Sequence, residues 1–486
     1  MAYSHAQEAG RTLRWRLPLP LAVAAGAYLL LLLLGSRLLN DADTFWQIAV
    51  GDWIVAHHAV PHVDAYSWTM AGKPWISSEW LAQVVFAQVY GWAGWGGVVA
   101  LSAAAIAASF GLLTRFLLEK LAPTPVLVMV AAGFVLASPH MVARPHVLAL
   151  PVMVAWIAGL VRARDERRAP SLLLLPLMSL WANFHGGFTF GLVFIAPLAL
   201  EALLEALKAA RLSVALRWVG FGLAALTAAC VTPYGPQSIL VTARILDLGP
   251  ALAIIGEWRP EDFSRLAGFE LVLLFGVGFA LYRGLRLPPI RLLILFGLVH
   301  MALAHSRNGE LLGLLAPLVI AAPLAPQLGG AAPLERGQTL PMVALACTLI
   351  VTSVALPQVL SYAPREAMAP SAALAAIKAS GKTRILNSYD FGGFLIFNHV
   401  APFIDGRTEL YGTDFVLRHD RAMRLQDVGG FLRLLADYRI DATLLAPNTP
   451  ANALLDRLKG WQRIYADNVA VVHVRTGAAD TTELKP

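Results

Sequence analysis

The chain has 486 residues, of which 57% are hydrophobic and only 14% are charged, and its mean hydropathy is +0.62. Soluble domains are about half apolar and about a quarter charged, so this composition excludes an ordinary soluble protein and predicts a membrane protein. The formal net charge of +7 is explained by Lys and Arg in cytoplasmic loops, and the sequence has no nucleic-acid-binding motif.

Eleven apolar segments are candidate membrane-spanning helices, although several are shorter than the usual 20 or so residues. The candidates are 18–39, 96–118, 123–138, 147–161, 170–184, 188–207, 217–232, 267–283, 289–304, 309–325 and 340–359. The first follows Arg11, Arg14 and Arg16 and is too long for a signal peptide. We therefore expect a retained span with its N-terminus in the cytoplasm. The segment 80–95 is predicted to be a further half-span or an interfacial helix.

Basic residues support this layout because they fall in alternate connections, as expected for cytoplasmic loops. They are Arg115 and Lys120, the run RARDERR at 162–168, Lys208 with Arg211 and Arg217, Arg283 with Arg286 and Arg291, and Arg336 in the loop 326–339. The external side then receives residues 40–80, 139–146, 185–187, 233–266, 305–308 and everything after 360.

The first external loop contains an amphipathic segment, TFWQIAVGDWIVAHHAV. A helix there would place Phe45, Ile48, Ala49, Trp53 and Ala56 on one face. Because tryptophan favours the membrane interface, we expect this helix to lie on the membrane surface.

The chain changes character after residue 360, where charge rises and the apolar runs shorten. The segments RILNSY, GFLIF, ATLLAP and VAVVHVR are predicted strands, and SAALAAIKA and GGFLRLLADY are predicted helices. Strands alternating with helices predict a small α/β domain. We therefore expect a transmembrane domain over 1–360 and a soluble external domain over 361–486.

Polar and ionisable residues near the span ends concentrate on the external side, and their cost at membrane depth calls for an explanation. They include Asp41, Asp43 and Glu79 in the first loop, and Arg144, His146, His185, Tyr234, Glu257 and Arg307 further along the chain. Singly, each has a structural interpretation, such as a helix cap for the two aspartates or a headgroup anchor for Arg144. Their concentration on one side favours a functional site.

Carboxylates opposite Arg and His at a lipid–water boundary suit a ligand with an anionic phosphate, a lipid tail and a polar group to transfer. Arg binds phosphate through a planar fork of donors. A carboxylate can act as a general base or hold a divalent cation. Asp41 and Asp43 are close enough in sequence to share a metal, but two acids alone are a weak indication of a metal site. The sequence has no zinc, Walker or dinucleotide-binding motif.

The acidic DAD at 41–43 directly follows the first span, a predicted helix comes next, and many spans and a soluble C-terminal domain follow. In this arrangement the chain resembles the GT-C superfamily, integral-membrane glycosyltransferases that use polyprenyl-phosphate-linked sugars. The resemblance implies that Asp43 is the catalytic or metal-linked residue, with Asp41 as its companion. It also implies that the cofactor to consider is a divalent cation, Mg²⁺ or Mn²⁺, held by these two residues.

More narrowly, the chain is similar to a little-characterised group of bacterial membrane proteins. The shared phrases are DTFW at 43–46, GKPWISSEWL at 72–81, WANFHGGF at 181–188, TPYGP at 232–236, EWRP at 257–260 and FIDGRTELYG at 403–412. This similarity implies a multi-pass protein of the bacterial inner membrane whose C-terminal domain is periplasmic.

We therefore expect a polytopic α-helical membrane protein with a GT-C-like transmembrane domain and a periplasmic α/β domain. It would move a sugar from a polyprenyl-phosphate-linked donor to an envelope glycan, lipid or protein. The residues assigned to catalysis are Asp43, Asp41 and Glu79, and those assigned to the donor and its phosphate are Arg144, His146, His185, Arg307, Glu257 and Tyr234. Asp405 and Arg407 are expected to form either a structural pair or an acceptor-facing loop.

Two other classes of function stay open at this point. A transporter or flippase for a lipid-linked solute would also carry ionisable groups in its spans. Transporters often have repeated halves with broken spans in corresponding positions, and this sequence has no such symmetry. A non-catalytic envelope scaffold would tolerate the loss of Asp43 and Arg307.

Overall fold

The computed structural model describes residues 17–246, 248–249, 252, 256–331 and 338–476, which are mostly helical. The α-helices are α1 (Leu19–Leu33), α2 (Gly35–Leu38), α3 (Asp43–His57), α4 (Trp80–Leu118), α5 (Pro123–Ala137), α6 (Pro145–Asp165), α7 (Leu175–Phe184), α8 (Phe188–Val193), α9 (Ile195–Glu205), α10 (Arg211–Ala229), α11 (Gln237–Leu246), α12 (Gly268–Arg283), α13 (Pro289–Ala304), α14 (Gly309–Leu328), α15 (Thr339–Leu360), α16 (Ser371–Ser380), α17 (Gly392–Phe397), α18 (Thr408–Tyr411), α19 (Thr413–Met423), α20 (Val428–Asp437) and α21 (Ala451–Leu455). The strands are β1 (Ile385–Asn387), β2 (Ala442–Leu445), β3 (Trp461–Ala466) and β4 (Val471–Arg475).

Within the described residues, seven helical segments are long and apolar enough to cross a membrane. They are Trp80–Leu118, Pro123–His140, Pro145–Asp165, Phe188–Glu205, Lys208–Ala229, Ser306–Leu328 and Thr339–Leu360. Each of the eleven segments predicted from the sequence coincides with a helix, while their number as membrane crossings stays a prediction. The predicted cytoplasmic arginines at 11–16 and Arg336 lie outside the described residues.

The predicted half-span 80–95 and the predicted span 96–118 belong to the same long helix, α4. Gly94 interrupts it with φ 56° and ψ −150°, a conformation that favours glycine. The half before the break packs beside α3, and the half after it carries buried residues of the helical core such as Phe110 and Leu113.

The helix predicted in the first external loop is confirmed as α3. Its position on the membrane surface stays a prediction, while the first part of its apolar face lies against protein. Phe45, Trp46 and Ile48 are buried against protein, because α3 packs between α4 and α17. Phe45 makes edge contacts with Phe394 and Phe397 of α17. The apolar face therefore holds the C-terminal domain on the helical bundle, a role that its amphipathic pattern alone cannot distinguish from membrane binding.

The C-terminal domain contains a four-stranded sheet in the order β1-β2-β4-β3. β1 runs parallel to β2, with Leu386 opposite Thr443, and β4 is antiparallel to both β2 and β3. Three of the four predicted strands and both predicted helices are confirmed. The prediction of a strand at GFLIF was wrong, because that segment is α17, and a short apolar run does not distinguish a strand from a buried helix. β3 was missed because most of its residues are exposed and its sequence, WQRIYA, lacks a regular alternation of apolar and polar residues.

Buried charged residues connect neighbouring helices at the C-terminal end of α6. Arg291, only 1% exposed, meets Glu201 at 2.7 Å and Asp165 at 2.6 Å, and Arg164 meets Glu201 at 3.0 Å. These contacts tie α6 to α9 and α13. A helix as long as α6 spans about 30 Å. These ion pairs are therefore well separated from Arg144, which directly precedes α6.

Candidate active site

Arg144 lies where the first loop meets the start of α6. Its backbone is extended, with φ −120° and ψ 161°, as expected for a residue that precedes proline. Ala143 N–H donates to Leu38 O (2.7 Å), and the Thr44 hydroxyl donates to Ala143 O (2.9 Å). These bonds hold Arg144 beside the acidic DAD segment.

The guanidinium of Arg144 faces three carboxylates, two from the DAD segment and one from the EWRP phrase. Nε lies 2.7 Å from Asp41 Oδ2, Nη2 lies 2.6 Å from Asp43 Oδ2, and Nη1 lies 2.8 Å from Glu257 Oε2. The other oxygen of Glu257 lies 2.9 Å from Nη1 of Arg307. Two arginines and three acids therefore form one contiguous cluster.

The two aspartates also make local hydrogen bonds. Asp41 Oδ1 accepts the backbone N–H of Asp43 (2.8 Å), the first residue of α3, while the N-cap position of that helix is Ala42. Asp43 Oδ1 accepts from Trp46 Nε1 (3.0 Å). Asp43 is thus held from both sides, by Trp46 of its own helix and by Arg144.

A cavity of about 70 Å³ opens beside this cluster. Its polar lining includes His140, Arg144, His146, His185, Glu257, Arg307, Asn308 and Glu310, and its apolar lining includes Leu150, Met153, Trp181, Phe190 and Leu311. His140 Nε2 is buried and has no hydrogen-bond partner within the described part of the chain. The cavity thus joins cationic and hydrogen-bonding groups to an apolar wall.

Arg307 combines a charge contact with an aromatic one. Its guanidinium carbon lies 4.5 Å from the centre of the Trp258 ring, within the range of a cation–π contact. Trp258 follows Glu257, so the EWRP phrase supplies both the carboxylate and the aromatic face that orient Arg307 toward the cavity.

Glu79 lies near the cavity, at the start of α4. Its Oε2 accepts from Gln47 Nε2 (2.8 Å), and its Oε1 lies 3.4 Å from His185 Nε2. His185 Nδ1 accepts the N–H of Gly187 (3.0 Å), so a neutral ring carries its proton on Nε2, facing Glu79. Burial lowers the pKa of His185 well below its usual value, and His146 adds to the effect, so the ring is neutral at pH 7.

The acids of the site differ in protonation. Burial raises the pKa of Asp43 to about 7, with Asp41 acting in the same direction and Arg144 opposing. Burial also raises the pKa of Glu79 to about 7, against its hydrogen bond from Gln47. For Glu257, Arg144 and Arg307 outweigh burial and lower the pKa to about 2. Glu257 is therefore always ionised near neutral pH, whereas Asp43 and Glu79 can exchange protons there.

Tyr234, Asp405 and Arg407, also assigned to the site from sequence, neither belong to the Arg144 cluster nor line the cavity. The Tyr234 hydroxyl donates to Pro61 O (2.8 Å) and accepts from Ser77 N–H (3.2 Å), which connects its loop to the loop between α3 and α4. Arg407 is fully buried and pairs with Asp405 (2.7 Å) and Asp64 (2.6 Å). Asp405 and Arg407 thus form a buried pair that, through Asp64, joins the C-terminal domain to the first loop, and whether they also face the acceptor stays a prediction.

The C-terminal domain approaches Asp43 more closely than the sequence indicates. A Cβ atom at Gly406 would lie 1.9 Å from Asp43 Oδ1 and 3.1 Å from Trp46 Nε1. A Cβ atom at Gly393 would lie 2.4 Å from Ala42 O. The glycines of the DGR and FGGF segments were the available signal, since glycine permits close approach of a backbone to another group.

Two further residues of the C-terminal domain had no individual role assigned from the sequence. The Tyr389 hydroxyl lies 2.5 Å from Thr408 Oγ1, and burial raises the pKa of Tyr389, with Asp43 adding to the effect. Glu409 Oε1 accepts from Trp75 Nε1 (3.0 Å), and burial raises the pKa of this acid as well. The C-terminal domain therefore contributes a tyrosine and an acid on the Asp43 side of the site.

The arrangement of Asp41 and Asp43 does not fit a divalent cation. Each of their four carboxylate oxygens already faces a nitrogen within 3.0 Å, from Arg144, Trp46 or the backbone of Asp43. Among the described residues, no group of three or more His, Cys, Asp and Glu side chains is placed to hold a metal ion. These two residues therefore do not provide ligands for the Mg²⁺ or Mn²⁺ that the resemblance implies.

Comparison with solved structures identifies the architecture. The archaeal oligosaccharyltransferase AglB from Archaeoglobus fulgidus, in complex with an inhibitory peptide and a dolichol-phosphate, matches with a TM-score of 0.52 and 10% identity, over 86% of this chain and 69% of that chain. The apo form of the Archaeoglobus fulgidus oligosaccharyltransferase matches with a TM-score of 0.53 and 11% identity, over 87% and 69%. This chain has the fold of these oligosaccharyltransferases. The GT-C resemblance expected from the sequence is thereby confirmed at the level of the fold.

No family model and no curated protein matches the sequence, so the likeness depends on architecture alone. In this fold the acidic segment after α2 and the EWRP phrase converge on Arg144, at the start of α6. The similarity to a narrower bacterial group and the roles of individual residues stay predictions.

Proposed function

We propose that this chain is a membrane glycosyltransferase that moves a sugar from a polyprenyl-phosphate-linked donor to an acceptor of the cell envelope. The observation that carries the proposal is the position of Asp43. It is an acid with a pKa of about 7, next to a cavity that Arg307 and several histidines line. A base that titrates near neutral pH, beside a cationic pocket, suits a displacement at a sugar carbon.

The cavity has the chemistry of a lipid-phosphate headgroup site. Arg307 and the buried His140 Nε2 are donors for phosphate oxygens, while Trp181, Phe190 and Leu311 offer apolar contacts to a lipid tail. The archaeal oligosaccharyltransferase of the same fold was solved with a dolichol-phosphate, which supports a lipid-linked donor here.

Arg144 lines the same cavity, but we do not assign the donor phosphate to it. Its three nitrogens face carboxylates, so a phosphate beside it would meet the negative charge of Asp41, Asp43 and Glu257. We therefore assign the leaving phosphate to Arg307, with His140 and the neighbouring His146 as further donors.

The reaction is an inverting displacement. The acceptor hydroxyl gives its proton to Asp43 while its oxygen forms a bond to the anomeric carbon. The bond from that carbon to the phosphate oxygen breaks, and the electron pair leaves on the phosphate, where Arg307 stabilises it. The products are the glycosylated acceptor and polyprenyl phosphate. Glu79, a second acid with a raised pKa, is placed with His185 to assist proton transfer.

We also propose an orientation of the chain in the membrane. The transmembrane domain covers 1–360 and the soluble domain 361–486, and the site opens on the periplasmic side of a bacterial inner membrane with the N-terminus in the cytoplasm. The alternation of basic loops supports this orientation. The packing of α17 on α3 supports it further, because the C-terminal domain then lies on the side of the first loop.

Complementation of a deletion strain tests the proposal. Cells without the gene receive the wild type, Asp43→Asn, or the matched control Asp420→Asn, which removes a carboxylate paired with the exposed Arg424 of α19. We expect the wild type and the control to restore a sugar modification of the envelope. We expect Asp43→Asn to leave the modification absent and the donor lipid accumulated, as measured by mass spectrometry of envelope glycans and lipid-linked sugars.

The opposite outcome points to another class of function. If Asp43→Asn, present in the membrane at the wild-type level, restores the same glycan profile, Asp43 is structural. The transporter or scaffold explanation then replaces the transferase.

A further inference from the structure

The position of Arg144 suggests a role beyond binding a substrate. Arginine usually pairs with a single carboxylate through two parallel hydrogen bonds. Here Nε, Nη1 and Nη2 each face a carboxylate of a different residue, at 2.7, 2.8 and 2.6 Å. One side chain thus joins the DAD segment to the EWRP phrase, as a bound cation would.

The charges around Arg144 show why a cation is needed there. Three carboxylates in a partly buried cluster repel one another, and burial makes each charge costly unless it is paired. Arg307 compensates Glu257 through its second oxygen (2.9 Å), which leaves Asp41 and Asp43 to Arg144. Without this guanidinium, the two aspartates would lie side by side without a positive charge in contact.

The donors around Asp41 and Asp43 leave little room for a metal. Mg²⁺ requires near-ideal octahedral oxygen ligands at about 2.0–2.1 Å, usually with one or two carboxylates. The oxygens that would ligate it instead face Arg144 Nε and Nη2, Trp46 Nε1 and the N–H of Asp43. The place between the two carboxylates is filled by the side chain of Arg144.

We propose that Arg144 takes the place of a divalent cation in this GT-C site, and that it positions Asp43 for proton transfer without a bound metal. The role of Asp43 in this statement rests on the proposed function, but the occupation of the acid cluster by Arg144 does not. Arg144 is a positioning residue, because it acts through the carboxylates that it holds. Its guanidinium is always charged, so the cluster keeps its geometry regardless of metal supply.

Metal binding by the purified full-length chain tests this inference without any transfer assay. Mn²⁺ is the probe, and electron paramagnetic resonance measures the fraction bound. We expect no stoichiometric Mn²⁺ on the wild type. We expect Arg144→Ala to gain a site, because Asp41, Asp43 and Glu257 are then released, and Asp43→Asn in the same background to remove it. The matched control Arg307→Ala leaves Arg144 in place and should gain none.

Two results would overturn the inference. The first is stoichiometric Mn²⁺ on the wild type that Asp43→Asn abolishes, which needs no Arg144 variant and therefore decides the matter even if Arg144→Ala does not fold. The second is a folded Arg144→Ala chain, judged by gel filtration and thermal melting, that binds no Mn²⁺. A failure of sugar transfer in cells would overturn the proposed function but would leave both metal results valid.

Discussion

At the residue scale, Asp43 and Glu257 contact the same guanidinium but differ in protonation. Glu257 also contacts Arg307, and the two arginines keep its pKa at about 2. Asp43 shares Arg144 with its neighbours, and burial raises its pKa to about 7. Two acids with well-separated pKa values have separate roles, so Glu257 is suited to orient the arginines and Asp43 to accept a proton.

The pKa of Asp43 predicts how transfer depends on pH. A general base must be ionised, so the rate should rise as pH increases through about 7 and level off above it. The measurement is the transfer rate of the purified protein at several pH values on both sides of neutrality. Because burial also raises the pKa of Glu79 to about 7, the same profile is measured for Glu79→Gln, and it should still rise. A flat wild-type profile, or a rise that disappears in Glu79→Gln, would show that Asp43 is not the base.

Arg307 provides a second prediction at this scale. Loss of a charge that stabilises a leaving group lowers turnover by about 10²–10³-fold, and we expect Arg307→Gln to do so with little change in folding. The control is Arg424→Gln, which removes an exposed arginine paired within α19 and should leave turnover near the wild-type value. Equal turnover in all three proteins would remove Arg307 from the leaving-group role.

At the element scale, the DGR segment (405–407) lies against α3. This contact makes Gly406 the position of the C-terminal domain that is most sensitive to substitution by a larger residue. The methyl carbon of an alanine there would lie only 1.9 Å from Asp43 Oδ1, which is a severe collision. We expect Gly406→Ala to abolish transfer and to lower the melting temperature. Gly429→Ala is the matched control, since the nearest atom to its Cβ would be the flexible end of Arg433, at 3.2 Å. Wild-type activity of Gly406→Ala would show that this loop does not border the site.

The sequence predicted the helices well, because long apolar segments have one stable solution in a membrane. It predicted the first-loop helix but not its partner, since the same apolar face serves for lipid or for α17. The acids and bases of the site were found as a one-sided concentration of charge. Their pairing was not, because residues 41, 144 and 257 are far apart in sequence and only the fold brings them to one guanidinium. The role of Arg144 was therefore expected to be phosphate binding.

At the scale of the whole molecule, the proposed orientation predicts which surfaces reagents reach from outside the cell. Cys230 and Cys347 are first replaced by alanine, and a single cysteine is then introduced as Gly429→Cys or Arg167→Cys. We expect a membrane-impermeant maleimide to label position 429 of the C-terminal domain once the outer membrane is permeabilised. It should label position 167, in the basic loop after α6, only after the inner membrane is permeabilised. Labelling in the reverse order would invert the orientation.

The release of polyprenyl phosphate by the purified protein tests the central claim most directly. The protein, in lipid nanodiscs, receives the donor lipids that accumulate in the deletion strain and an envelope fraction as acceptor, and mass spectrometry follows the lipid product. The transferase account predicts release by the wild type and a decrease of about 10²–10⁴-fold for Asp43→Asn. Equal release by the two proteins would contradict it. A donor lipid that keeps its sugar in the presence of the wild-type protein would also contradict it.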